Sequence, residues 1–270
     1  MTFSSLTSTK IMGIINANDD SFYDKSRFTG KNAISKITSM INEGAHIIDI
    51  GGVSTKPGSV EISQDEELAR IKPICDIIKK EKLYEKVKFS IDSYTPKVIE
   101  YALQSGFTIV NDITGLQNDE VAQITAKYNA TIIIMHMQGT PQTMQENPQY
   151  KDVVSEVHQF FEKRIEKAKK FGINNIILDV GIGFGKTLQH NLLLLKNMDQ
   201  FLDLGCELLI AASRKSMIDK ITPAVTQERL SGTLAIHLDS VRRGATLVRT
   251  HDVKEHHQAL KVQEAIDSIS

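Results

Sequence analysis

Hydrophobic positions along the chain alternate between two rhythms. Eight short apolar runs, at 10–15, 46–50, 87–91, 108–110, 131–135, 175–178, 207–211 and 246–248, are mostly β-branched. Such runs predict strands covered on both faces. Between them lie longer stretches with helical spacing. In 32–43, Ile34, Ile37 and Ile41 form one stripe, and in 150–171, Val154, Val157, Phe161 and Ile165 form another. Ser63-x-x-Glu66 predicts a capping box, and Thr95-Pro96 predicts a cap followed by proline at the first helical position. Eight strand–helix repeats with no linker between them predict an α/β protein, a single-domain (β/α)8 TIM barrel over 1–270.

In such a barrel the reactive groups stand at the C-terminal ends of the strands. Here the runs end in Asn16; in Asp49 with Gly51-Gly52; in Asp92-Ser93; in Asn111-Asp112; in His136; in Asp179; in Ser213-Arg214-Lys215; and in Arg249-Thr250-His251. A rim that mixes acids and cations suits a ligand with N–H donors at one end and negative charge at the other. Asp92, Asn111 and Asp179 would be compensated by a flat heterocycle rich in N–H groups, such as a 2-amino-4-oxo pterin. Each could instead cap its own loop. Arg249 and His251, two residues apart on one strand, share a face and can meet an anion. A structural salt bridge to Asp252 or Glu255 is the alternative. Spacing alone does not decide whether Arg214 or Lys215 turns inward.

The stretch Gly181-Ile182-Gly183-Phe184-Gly185-Lys186-Thr187 imitates a nucleotide-binding P-loop, but the first glycine of that motif would fall on Val180. It reads as a flexible loop that presents Phe184. The long loops 16–30 and 51–63 lack periodicity, a property of segments that close over a site. Tyr128, His158, His190, His256 and His257 read as surface or helix-face residues.

A formal net charge of -1 provides no basic field for nucleic acid. No apolar run is long enough to span a membrane, and the polar first ten residues favour the cytoplasm. Cys75 and Cys206 form no paired motif and read as small buried apolar residues.

The segments Asp20-Ser21-Phe22, Gly51-Gly52-x-Ser54-Thr55-x-Pro57-Gly58, Ile91-Asp92-Ser93, Asn111-Asp112-Ile113, Met135-His136-Met137-Gln138-Gly139, Gly181-x-Gly183-Phe184-Gly185-Lys186, Ser213-Arg214-Lys215-Ser216, Arg229-Leu230-Ser231-Gly232 and Arg249-Thr250-His251-Asp252-Val253 resemble the dihydropteroate synthases. The resemblance runs from about residue 11 to about residue 266. It implies a transferase of folate biosynthesis. This enzyme joins 6-hydroxymethyl-7,8-dihydropterin pyrophosphate to p-aminobenzoate and releases pyrophosphate by a dissociative substitution.

By the same resemblance, Asp92, Asn111, Asp179 and Lys215 line the pterin pocket. Arg249 stacks beside the pterin and binds pyrophosphate with His251. Asn16 holds pyrophosphate directly or through Mg2+. Thr55 and Lys56 approach both substrates. Pro57, Phe184 and Ser216, with Thr55, shape the p-aminobenzoate site, where sulfonamides bind in the family. A homodimer packed through the late helices is implied as well. The chain departs from the family pattern at Ala17-Asn18-Asp19, Val53, Lys56, Val180 and Ala212. Lys56 keeps the charge of the usual Arg but not its bidentate fork. A pterin-binding methyltransferase would share the pocket without needing the cations Arg249, His251 and Lys56. A non-catalytic pterin-binding protein and a generic barrel phosphate enzyme are the other readings.

Overall fold

The computed structural model describes residues 9–17, 30–53 and 62–269, without the side chain of Lys31. Their eight strands form one closed parallel barrel. They are β1 (Lys10–Asn16), β2 (Ile47–Gly51), β3 (Lys88–Asp92), β4 (Ile109–Asp112), β5 (Thr131–Met135), β6 (Ile176–Asp179), β7 (Glu207–Ile210) and β8 (Leu247–Thr250). Each pairs in parallel with the next, and β8 closes on β1. The helices between and after them are α1 (Gly30–Asn42), α2 (Gln64–Lys80), α3 (Pro96–Gln104), α4 (Asp119–Lys127), α5 (Val153–Lys170), α6 (Leu188–Lys196), α7 (Ser216–Ile221), α8 (Leu230–Arg242) and α9 (Val253–Asp267). The predicted barrel is therefore the observed fold. Several strands run one or two residues past the apolar run, because the terminal polar residue still pairs: Asp92 faces Gly51 on one side and Asn111 on the other.

Two apolar layers hold the barrel. The outer one packs strand residues such as Ile48, Phe89 and Ile132 against helix stripes such as Ile71, Ile74 and Ile78 of α2 and Val157, Phe161 and Ile165 of α5. Each fully buried side chain of this kind contributes roughly 1.5–3 kcal/mol. The inner layer plugs the barrel with Met12, Ile47, Ile109, Ile133, Ile177, Leu209 and Leu247. Strand side chains alternate between faces. The residues two further along, Ile14, Asp49, Asn111, Met135, Asp179, Ala211 and Arg249, therefore form the next inward layer, directly above the plug.

The helix starts were partly foreseen. Ser63 accepts from the Glu66 N–H at 3.2 Å, but Glu66 turns to Arg70 at 2.8 Å, so the box is only half made. Pro96 does open α3, whereas the Thr95 hydroxyl donates to Glu67 at 2.5 Å rather than capping. Among the described residues no helix is long and apolar enough to cross a membrane.

Candidate functional site

The layer above the plug is polar because the strands end there, and its charges pair across the barrel. Asp49 is fully buried on β2. Its Oδ2 accepts from Arg249 Nε at 2.6 Å and from Asn111 Nδ2 at 3.1 Å. Asp49 Oδ1 has no partner among the described residues. Arg249 Nη2 donates to Asp92 Oδ2 at 2.6 Å. Arg249 thus bridges two carboxylates from strands β2 and β3. The alternative to an anion-binding role, a salt bridge to Asp252 or Glu255, is not the pairing made: Asp252 pairs with Arg214. Burial raises the Asp92 carboxyl, opposed by Arg249 and reinforced by Asp49 and Glu67.

Asp179 ends β6 and is buried, with Oδ1 accepting from the Gly181 N–H at 2.8 Å. Burial raises its pKa, while that bond, Lys215 and Arg249 pull it down. Lys215 is the inward cation. Arg214 occupies the left-handed region at φ 56, and its guanidinium pairs with Asp252, leaving Lys215 to turn into the mouth. Burial, and then repulsion from Arg249, lowers Lys215 from 10.5 to about 8. Its Nζ lies 4.2 Å from the centre of the Phe184 ring. The next residue, Ser216, is exposed at the first position of α7.

His251 stands at the rim beyond β8. Its backbone N–H donates to Ser213 Oγ at 3.2 Å, and its Nδ1 lies 2.9 Å from the same oxygen. Ser213 Oγ thus meets both the backbone and the ring of His251; where its hydroxyl donates to Nδ1, the ring N–H stands on Nε2 and can meet a ligand. Burial of the ring and the charges of Arg249 and Arg214 lower its pKa to about 4, so at neutral pH it is a neutral donor, not the charge-assisted one expected.

The structure therefore brings Asp92, Asn111, Asp179, Lys215, Arg249, His251 and Phe184 to one mouth, together with Asn16, the last residue of β1. Thr55, Lys56 and Pro57 lie outside the described residues, as do most of both long loops. Among the described residues no group of three or more His, Cys, Asp or Glu side chains could hold a metal. Asn16 supplies a single hard oxygen, a donor set that fits Mg2+ carried in by phosphate oxygens rather than a resident ion.

Several readings need correction. Asp49, counted among the strand-end residues but given no role, is the hub of the charge network. Its position inside an apolar run gave no sign of that. Asp112 points away from the mouth and binds Thr114 and the Leu116 N–H. His256 is not a surface residue: it is buried, with Nε2 2.9 Å from His237 Nδ1. Cys206 is only half-buried, unlike Cys75. The turn at 181–187 is not a loose one. A Cβ on Gly181 would meet the His136 carbonyl oxygen at 2.0 Å, and one on Gly185 the Gln138 carbonyl oxygen at 2.4 Å, so the glycines permit close approach to the neighbouring loop.

Residues 12–251 match the family model described as pterin binding enzyme. The dihydropteroate synthase of Escherichia coli strain K12 is 41% identical over 258 residues, covering 94% of this chain and 90% of that protein. Among solved structures, the Yersinia pestis dihydropteroate synthase with a sulfonamide drug complex superposes with a TM-score of 0.90 at 35% identity, covering 97% of this chain and 95% of the other. The Xanthomonas albilineans enzyme in complex with 7,8-dihydropteroate gives 0.84 at 29% identity, covering 99% and 96%. A barrel mouth pairing an acid-lined slot with cations, and relatives matched over nearly their whole length, place this chain in the pterin-binding enzyme family, among the dihydropteroate synthases.

Proposed function

We infer that this chain condenses 6-hydroxymethyl-7,8-dihydropterin pyrophosphate with p-aminobenzoate, giving 7,8-dihydropteroate and pyrophosphate. One observation carries the reading at the level of the site: Arg249 touches Asp92 at 2.6 Å. Cationic and acidic groups therefore meet at one point, as a ligand with a donor-rich ring and a diphosphate requires. A methyltransferase that binds the same ring has no use for a rim cation and a rim imidazole beyond the slot.

Asp92, Asn111 and Asp179 accept from the ring N–H groups, and Lys215 donates to a ring oxygen or nitrogen. The exocyclic C–O bond breaks as the diphosphate leaves with the bonding pair. The arylamine nitrogen then forms the C–N bond and gives up a proton to solvent. Arg249 and the Nε2–H of His251 meet the developing negative charge on the leaving group, and Asp92 and Asp179 favour the cationic ring. Preorganised charges of this kind account for most of a rate enhancement without a protein nucleophile. Magnesium bound at Asn16 would neutralise further charge on the diphosphate. Phe184 and Ser216 border the arylamine, and the family resemblance assigns Thr55, Lys56 and Pro57 to the same substrate. Sulfonamides would compete there.

The chain acts as a homodimer in this reading. Exposed Leu192, Leu193, Ile221 and Val225 on the late side of the barrel support it. Two free thiols with no disulfide support a cytoplasmic location. Pyrophosphate release from the pterin pyrophosphate, measured with and without p-aminobenzoate, tests the assignment. Release that depends on the arylamine is expected, and none at any arylamine concentration would exclude it.

A further inference from the structure

The glycine-rich turn after β6 is held by a cation that the chemistry does not use. Lys186 is 2% exposed. Its Nζ lies 2.9 Å from the Phe184 carbonyl oxygen, 3.0 Å from that of Gly181, 3.2 Å from that of His136 and 3.0 Å from His136 Nδ1. Four acceptors surround this one nitrogen. An ammonium has three N–H bonds to share among them, whereas a neutral amine would turn its lone pair toward one. Burial opposes that charge and lowers the amine to about 7, and it lowers His136 to about 2, so the imidazole is a neutral acceptor. Among the described residues no carboxylate forms a salt bridge with Lys186. An apolar side chain would fill the same space at lower cost. What the cation adds is a link between two loops.

The link reaches the site directly. Phe184, whose carbonyl Lys186 holds, lays its ring beneath Lys215 Nζ. Two contacts brace the same turn from the β5 side: Tyr150 donates its hydroxyl to the Gly185 carbonyl at 2.8 Å, and Gln145 Nε2 donates to the Gly183 carbonyl at 2.7 Å. Asp92 and Asn111 sit on strands away from the turn; Asp179 also ends a strand but accepts from the Gly181 N–H, and Lys215 lies over the Phe184 ring, so the pterin slot is tied to the turn only in part.

We propose that Lys186 is a positioning residue, whose ammonium fastens the turn at 181–187 to the end of β5 and so sets the Phe184 ring as the wall that seats the arylamine. The proposal rests on the dihydropteroate reading for the identity of that arylamine. Loss of the ammonium then falls unequally on the two substrates: the arylamine loses its wall, while the pterin keeps Asp92, Asn111 and the strand-borne carboxylate of Asp179.

The test is Lys186→Met in the full chain, a near match in length without the charge. KM for p-aminobenzoate should rise by about tenfold or more, as expected for a misplaced contact. The Kd of a pyrophosphate-free pterin, measured by calorimetry, should change by less than about threefold. Adding Lys186→Met to Phe184→Ala should raise that KM by no more than about twofold, because residues acting through one another are not additive. Should Lys186→Met fail to fold, Tyr150→Phe tests the same link with a smaller rise in arylamine KM and an unchanged pterin Kd. An unchanged arylamine KM, equal losses for both ligands, or full additivity with Phe184→Ala would each overturn the proposal. If the wild-type protein released no pyrophosphate, the functional reading would fail instead. The clamp would still be read by hydrogen exchange, with Gly183 and Phe184 amides exchanging faster in Lys186→Met and at an unchanged rate if the proposal is wrong.

Discussion

Replacing Asp49 with Asn isolates the buried hub of the site. Asp49 is fully enclosed, while the Arg249 side chain is 18% exposed. Removing one partner of a buried ion pair costs about 3–5 kcal/mol when the other charge is left alone. Arg249 is not left alone here, since Asp92 remains at 2.6 Å, and Asn keeps one acceptor oxygen. The cost should therefore be roughly half, about 2 kcal/mol. At roughly 2–4 °C per kcal/mol for a chain of this size, Tm should fall by about 4–8 °C. Calorimetric or circular-dichroism melts at pH 7 measure it, with Arg249→Met and the double mutant closing a cycle. Coupling of about 1 kcal/mol or more between the two positions is expected for residues in direct contact. Arg249, freed on one side, should also swing toward Asp92 and lower turnover. A melt within about 1 °C of wild type, or strict additivity, would show that the Asp49–Arg249 contact does not bear on the fold.

Asp179→Asn should weaken pterin binding roughly tenfold or more, because a charged acceptor becomes half donor; calorimetry with a pyrophosphate-free pterin checks it. Arg249→Ala should lower turnover far more than it weakens binding of that same pterin. It should also destabilise the fold, since Asp49 and Asp92 lose their shared counter-charge, and paired kinetics and melts separate the effects. Lys215 gives a pH signature. Below about 8 it is an ammonium and a full donor, and above that it loses its proton, so pterin binding should weaken as pH rises through about 8. The unfolded chain holds this proton up to about 10.5, so between those values the Lys215 contribution to stability rises with pH, and lost binding there is not lost folding. Lys215→Met should bind weakly at every pH and lack that alkaline limb.

The barrel was legible because burial on both faces leaves a parallel strand few polar positions before its end, Asp49 and Ser90 being exceptions. Thr131–Met135 has the boundaries of its apolar run for that reason. The members of the slot were legible too, since Asp92, Asn111, Asp179 and Arg249 each stand at the C-terminal end of a run. Local chemistry, repeated eight times in order, is enough to name an architecture and the end of it that carries the site.

Which charges meet is a matter of register and of chain separation. Asp49 and Arg249 lie 200 positions apart, and only closure of β8 onto β1 sets them across the same layer. Arg214 and Lys215 are adjacent cations, and one left-handed backbone angle sends the first to Asp252 and the second into the mouth. Lys186 and His256 look like ordinary surface side chains until two loops or two helices close over them. Sequence carries periodicity, which is local. The partner of a buried charge is chosen by long-range packing, and no spacing along the chain encodes it.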